Sequence, residues 1–258
     1  MTTWWNAQPR ERQRVFAVTG IAFAVIAASG LGIAKLVDDV FGSDGATRVD
    51  PKITNYVVDH RTPALTTMAR GVTHLADPLP VTIVAVISVV ALLARRRRRL
   101  AAFVALSMAG AALATSLGKL VVDRPRPSDT IWLTRASGAA FPSGHATQSV
   151  ACWCALAVCA AMLTHRRSLR LAWIALGVVV ALAVGASRVY LGVHWTSDVV
   201  CGWAVATAWL LALVVIGWSR PRLTVEIESA RALVRATAHS LRSRSRRMDQ
   251  TGGGPASD

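Results

Sequence analysis

An all-α, polytopic membrane protein with six transmembrane helices is the fold class this sequence predicts, on three observations. The chain is 53% hydrophobic yet carries a formal charge of +15, which joins a lipid-soluble body to basic ends and connections. Six uncharged apolar runs lie at 15–34, 78–94, 100–118, 146–164, 171–187 and 199–219. Each has close to the roughly 17–25 residues a helix needs to cross a hydrocarbon core of about 30 Å. Arginines then mark every second connection. A large soluble helical core does not account for these runs, because buried soluble helices are rarely uncharged all round over such lengths.

Orientation follows from the arginines. Arg10, Arg12 and Arg14 precede the first run, and Arg95 to Arg99 separate the second from the third. Arg166, Arg167 and Arg170 separate the fourth from the fifth, and Arg220 and Arg222 follow the sixth. These segments share one side, and the excess of Lys and Arg in cytoplasmic loops places both termini inside. The expected organisation is a cytoplasmic N-terminus (1–14), a membrane domain (15–219, its first span drawn to about 36) and a basic cytoplasmic tail (220–258). The membrane is expected to be a bacterial-type plasma membrane. The first run is read as a retained anchor despite its Ala27, Ala28 and Ser29, since a signal-peptide core has about 7–15 residues.

The first outward segment, 38–77, is richer in carboxylates than the other loops and is expected to hold two short helices. Asp50-Pro51 and Thr62-Pro63 each pair an N-cap residue with proline at a first helical position. Leu65, Met68, Ala69, Val72 and Leu75 then repeat at helical spacing, so the second helix is expected on the membrane surface. Its polar residues Arg61, Arg70 and His74 either meet lipid headgroups or form an ordinary solvated face. The five arginines from Arg95 are explained by topology and anionic lipid, not by nucleic acid. Cys152, Cys154, Cys159 and Cys201 have no metal-site spacing with histidine and read as small buried residues. In the tail, a basic helix is expected around 225–241, followed by a Gly-rich end with too few apolar residues for a second core.

Polar residues that bear chemistry gather on the outward side. The third span delivers Lys119, followed by Arg124-Pro125-Arg126-Pro127, three cations where the positive-inside rule expects few. They point to an anion site. After a featureless connector, 128–140, comes Phe141-Pro142-Ser143-Gly144-His145. Ser143 is a good N-cap, Gly144 lets a ligand approach the backbone, and the free N–H groups of a helix start attract anions. A simple cap beside a surface histidine is the plainer alternative. The fourth and fifth spans form a hairpin, so His145 and His194 emerge on the same face. Around the latter lie Ser187-Arg188 and, four residues on, Asp198, which can hold one imidazole nitrogen and leave the other free.

Lys119 with six residues before Arg126-Pro127, then 142–145, then Ser187-Arg188 with five residues before His194 and three before Asp198, resembles the three-part signature of the type 2 phosphatidic acid phosphatase (PAP2) superfamily. Its integral-membrane branch includes lipid phosphate, phosphatidylglycerophosphate and undecaprenyl-pyrophosphate phosphatases. The resemblance implies a six-helix PAP2-type bundle in which His194 attacks phosphorus to form a phosphohistidine. It implies that Asp198 orients that ring and His145 protonates the leaving lipid oxygen. Lys119, Arg126, Ser143, Gly144 and Arg188 would hold the phosphate oxygens, with no cofactor and no metal. Arg124 also precedes a proline, so either arginine could reach the phosphate; only Arg126 has the family spacing, and Arg124 is expected as a flanking charge.

The expected substrate is a lipid phosphate or pyrophosphate: a polyprenyl diphosphate, phosphatidate or phosphatidylglycerophosphate. Three readings compete. Two histidines and an aspartate suit zinc, although the surrounding cations would repel it. A lipid-phosphate binding or transport protein would keep the cations without needing the nucleophile. A phosphotransferase would use the same residues with another acceptor.

Overall fold

The structure is a computed structural model that describes residues 9–42 and 45–217. Of the two compact units into which the chain divides, the first, Met1–Val215, holds the site; of the second, Ile216–Asp258, only residues 216–217 are described. The expected tail at 220–258, with its helix at 225–241, lies outside the described residues.

Eight helices follow in chain order among the described residues: α1 (Pro9–Gly42), α2 (Ala46–Asp59), α3 (Pro63–Thr73), α4 (Pro78–Ala94), α5 (Arg98–Val122), α6 (Gly144–Leu163), α7 (Arg167–Tyr190) and α8 (Thr196–Gly217). Short 3-10 turns occur at His74–Ala76 and Asp129–Ile131. No strand occurs among the described residues. Four helices, α5 to α8, are long and apolar enough to cross a membrane, and the bent pair Pro63–Ala76 and Pro78–Ala94, broken by 48°, would make a fifth. Side chains such as Ile83, Val86, Ile87 and Val90 on α4 stand exposed. Together they form the kind of wide apolar surface that water does not tolerate and lipid does.

The interior is built from small residues. Ala85 and Leu92 of α4, Ala101 and Val104 of α5 and Cys159 of α6 form one buried cluster. Ala146, Val189 and Val199 join α6, α7 and α8 in another, directly beneath the polar end of the bundle. Close backbone approach is the rule here, as expected where helices cannot be driven together by water. A Cβ on Gly202 of α8 would lie 2.9 Å from the Ser143 carbonyl oxygen, so only glycine lets α8 reach the start of α6. Within α6, Val150–Cys154 widens into a π turn, and the Ser107 hydroxyl donates to the Ala151 carbonyl there at 2.8 Å. The periodicity of the sequence does not announce this turn, because side-chain polarity carries no record of an i→i+5 register.

The segment 38–77 corrects the sequence reading at Asp50. Thr62 caps α3 as expected: its hydroxyl accepts from the Leu65 N–H at 3.3 Å and Pro63 takes the first helical position. Asp50 does not cap α2. That helix begins at Ala46 and runs through Pro51, while Asp50 is buried at 2% exposure with its carboxylate committed to tertiary partners. Arg61 and the exposed Arg70 also reach protein partners. Arg61 donates to the carbonyls of Ile131 (2.8 Å) and Tyr190 (2.8 and 3.1 Å), and Arg70 to that of Leu133 (3.2 Å). These bonds fasten the segment 38–77 to the loops that carry the site.

Candidate active site

The chain between α7 and α8 is forced into position before any chemistry is considered. Gly192 has φ +75, and a Cβ there would lie 2.7 Å from the Ile131 carbonyl oxygen and 2.8 Å from Arg61 Nη2. Leu191 and Val193 on either side are fully buried. The tight turn therefore drives the next residue, His194, inward to 2% exposure. His194 precedes α8, which starts at Thr196, and Asp198 is the third residue of that helix. Asp198 Oδ2 folds back to accept the Trp195 N–H at 2.8 Å, the return half of a capping box. The same oxygen lies 3.4 Å from His194 Nδ1, a long hydrogen bond of the kind that tightens when a substrate binds.

This arrangement defines the tautomer. With Nδ1–H directed at a carboxylate, Nε2 carries the lone pair, and Arg126 Nη1 donates to it at 3.1 Å. Arg126 also donates to the carbonyls of Ser137 (2.9 Å), Gly138 (2.9 Å), Ala139 (3.3 Å) and Val193 (2.7 Å). Lys119, on the last turn of α5, donates to the same Ala139 carbonyl. The connector that looked featureless in sequence is thus what gathers the two cations of the first motif. Asp123 ends α5 in a left-handed conformation, φ 39, and turns the chain toward it.

The start of α6 adds the second motif. The Ser143 N–H donates to the Asp198 carbonyl at 3.0 Å, which ties this helix start to the first turn of α8. Ser143 occupies the N-cap position, but its hydroxyl makes no cap bond and is fully buried without a hydrogen-bond partner. A Cβ on Gly144 would meet only Thr115, at an ordinary 3.5 Å, so packing alone does not demand glycine there. Arg188 of α7 is 4% exposed and donates from Nη1 to Thr73 Oγ1 at 2.7 Å, while its Nε has no partner. A buried hydroxyl and a buried guanidinium N–H left unsatisfied are costly unless an acceptor such as a phosphate oxygen takes them.

His145 sits on a different carboxylate. Its Nε2 lies 2.9 Å from Asp77 Oδ1, and Asp77 Oδ2 is 2.6 Å from Nδ1 of the exposed His74. Burial pushes the Asp77 carboxyl up, but the hydrogen bonds and charges of His74 and His145 outweigh it and hold the group below its usual value. Arg188 and Arg126 are close enough to act electrostatically on both His145 and His194. All eight residues singled out in the sequence therefore lie at one end of the bundle.

Three further residues hold places at the site that the sequence did not assign them: Asp77, Asp50 and Arg124. Arg124 is no flanking charge. It is 8% exposed and ion-paired with both Asp50 (2.8 Å) and Asp198 (2.6 Å). The one available signal was the carboxylate-rich segment 38–77 beside the cations Lys119, Arg124 and Arg126, expected on the same side. Among the described residues, no group of three or more His, Cys, Asp or Glu side chains is placed to hold a metal ion.

Burial pushes the His194 imidazole down to about 4; Asp198 acts in the opposite sense, and Arg126 and Arg188 reinforce burial. The ring is therefore neutral at pH 7. The sign for stability follows from the same shift. An unfolded imidazole binds a proton near its ordinary value of about 6.5. The unfolded chain thus takes up more protons between about 6.5 and 4, and the stability present above that window is lost as pH falls through it. In an NMR titration of histidine-labelled protein in detergent, the His194 ring is expected to stay neutral well below pH 6. A midpoint near 6.5 would contradict its burial as a neutral base.

The chain is similar to known proteins over part of its length. The family model described as the PAP2 superfamily matches residues 100–222. An undecaprenyl-diphosphatase of Sulfolobus acidocaldarius is 30% identical over 129 residues, 48% of this chain; the chain spans 58% of that relative's length. The crystal structure of a transmembrane PAP2-type phosphatidylglycerolphosphate phosphatase from Bacillus subtilis superposes with TM-score 0.64 at 26% identity, over 76% of this chain and 96% of that one. LpxE from Aquifex aeolicus shares the fold, with TM-score 0.52 at 19% identity over 64% of this chain and 94% of that one.

Proposed function

We propose that this chain, whose residues 100–222 match the PAP2 superfamily model, hydrolyses a membrane lipid phosphate or pyrophosphate through a phosphohistidine on His194. The observation that carries this reading is the setting of His194: Nδ1 toward Asp198, and Nε2 toward the Arg126 guanidinium that would bind the same phosphate. In the first step Nε2 bonds to phosphorus as the bond to the leaving oxygen breaks, and His145 gives that oxygen its proton. In the second, His145 takes a proton from water, the hydroxide attacks phosphorus, and the P–N bond breaks to release inorganic phosphate. Lys119, Arg126, Arg188, the Ser143 hydroxyl and the Gly144 N–H hold the equatorial oxygens, where charge accumulates in phosphoryl transfer.

The donor set supports a metal-independent reaction, since a cluster of fixed cations neutralises a phosphate and repels a divalent ion. The site belongs to a membrane domain of six spans, α1 and α4 completing the four already described, with both termini cytoplasmic and the site outward. Arginine-rich connections support that orientation. The substrate classes are those of the relatives: polyprenyl diphosphate, phosphatidylglycerophosphate and, as a simpler lipid monoester, phosphatidate. Release of inorganic phosphate from these three lipids, with purified protein in detergent and excess chelator, tests the reading. Turnover of at least one is expected. Activity that appears only when a divalent metal is restored would overturn the metal-free mechanism, and binding without release would favour a lipid-phosphate binding protein.

A further inference from the structure

We propose that Asp50 and Arg124 are positioning residues for the nucleophile, forming with Asp198 a buried carboxylate–guanidinium–carboxylate relay behind His194; this rests on the phosphohistidine reading above. Arg124 Nη1 donates to Asp198 Oδ1 (2.6 Å) and to the Ser197 hydroxyl (2.7 Å), and Nη2 donates to Asp50 Oδ2 (2.8 Å). Asp50 Oδ1 accepts the Ser197 N–H at 3.0 Å and Oδ2 accepts its hydroxyl. The guanidinium also lies over the Trp195 ring, 5.6 Å from its centroid. The side chains of Arg124, Asp50 and Asp198 are 8%, 3% and 0% exposed, so these charges are almost wholly removed from water.

Two consequences follow from this arrangement. The first is geometric. Arg124 holds Oδ1 of Asp198, which fixes the carboxylate plane and leaves Oδ2 for the Trp195 N–H and His194 Nδ1. The second is electrostatic. Arg124 alone would neutralise Asp198, leaving little negative charge to compensate the cationic ring that forms when Nε2 bonds to phosphorus. Asp50 takes the other half of the guanidinium, so the trio keeps a net negative charge on the far side of His194. The charges acting on the ring are those of Asp198, Arg126 and Arg188, two cations against one carboxylate, which makes that residual charge consequential. Asp50 lies on α2, outside the matched family segment at 100–222, so the first outward helix becomes part of the catalytic apparatus rather than a connector.

The test compares the full-length native chain, Asp50→Asn, Arg124→Gln and His194→Ala in detergent. It measures kcat and KM on a lipid that the native protein hydrolyses, with the His194 titration followed by NMR in all but His194→Ala. Asp50→Asn is expected to lower kcat by about 10–100-fold, the range for outer partners that orient an imidazole, with KM little changed. It should move the His194 midpoint down, whereas Arg124→Gln should move it up, an opposite pair that loss of structure does not produce. Should Arg124→Gln fail to fold, the nearly isosteric Asp50→Asn decides alone. Native kcat and an unmoved titration in folded Asp50→Asn, with His194→Ala inactive, overturn the relay and leave the phosphohistidine reading intact. Turnover by His194→Ala at the native rate overturns both.

Discussion

Alanine at His194 is expected to lower kcat/KM for every lipid phosphate substrate by more than roughly 10⁴-fold, as loss of a covalent nucleophile does in other enzymes. The expectation rests on where the ring sits. The turn at Gly192 and the burial of Leu191 and Val193 hold it in place, Asp198 lies behind it, and Arg126 lies across Nε2. Alanine leaves the cations, so lipid phosphate should still bind. The measurement is steady-state turnover together with equilibrium binding of a lipid phosphate to the same variant. Retained binding with lost turnover fits a nucleophile; loss of both in equal measure would make His194 a ligand-binding group instead.

The second large effect falls on His145 and depends on the leaving group. His145→Ala is expected to cost about 10²–10⁴-fold for a monoester such as phosphatidate, the usual range for a lost general acid. For a polyprenyl diphosphate the loss should be distinctly smaller, because the departing phosphate needs a proton far less than a departing alkoxide does. Asp77, its carboxyl held below the ordinary value by the two histidines that flank it, keeps a negative charge beside His145. Comparing kcat/KM for the two lipids in the native protein and the variant checks this. Equal losses on both would mean that His145 serves only to bind phosphate.

The motif residues were legible in sequence because each interrupts an apolar stretch or its margin with a charge that a membrane protein does not place there idly. Their assembly was legible too, since alternating arginine-rich connections put Lys119, Arg126, His145, Arg188, His194 and Asp198 on one face. What supports them was not. Asp50-Pro51 carries a genuine local helix-start signal, and a tertiary ion pair overrode it. Arg124 and Arg126 stand in identical local settings, each before a proline, and only the fold shows that Arg126 meets His194 Nε2 while Arg124 holds the Asp198 carboxylate. Arg61 and Arg70 look amphipathic by pattern because sequence records polarity and not which distant carbonyl a guanidinium will reach. Buried partners at long range leave no periodicity to read.

The central claim is a covalent phosphoryl group on His194, and rapid quenching tests it most directly. The protein would be mixed for milliseconds with a lipid phosphate or diphosphate labelled at its terminal phosphorus, quenched in alkali and digested. Label that is stable in base, labile in acid and confined to the peptide bearing His194 is the predicted result, with none in His194→Ala. Continued turnover with no trapped label at any time, or label on a different residue, would contradict the account.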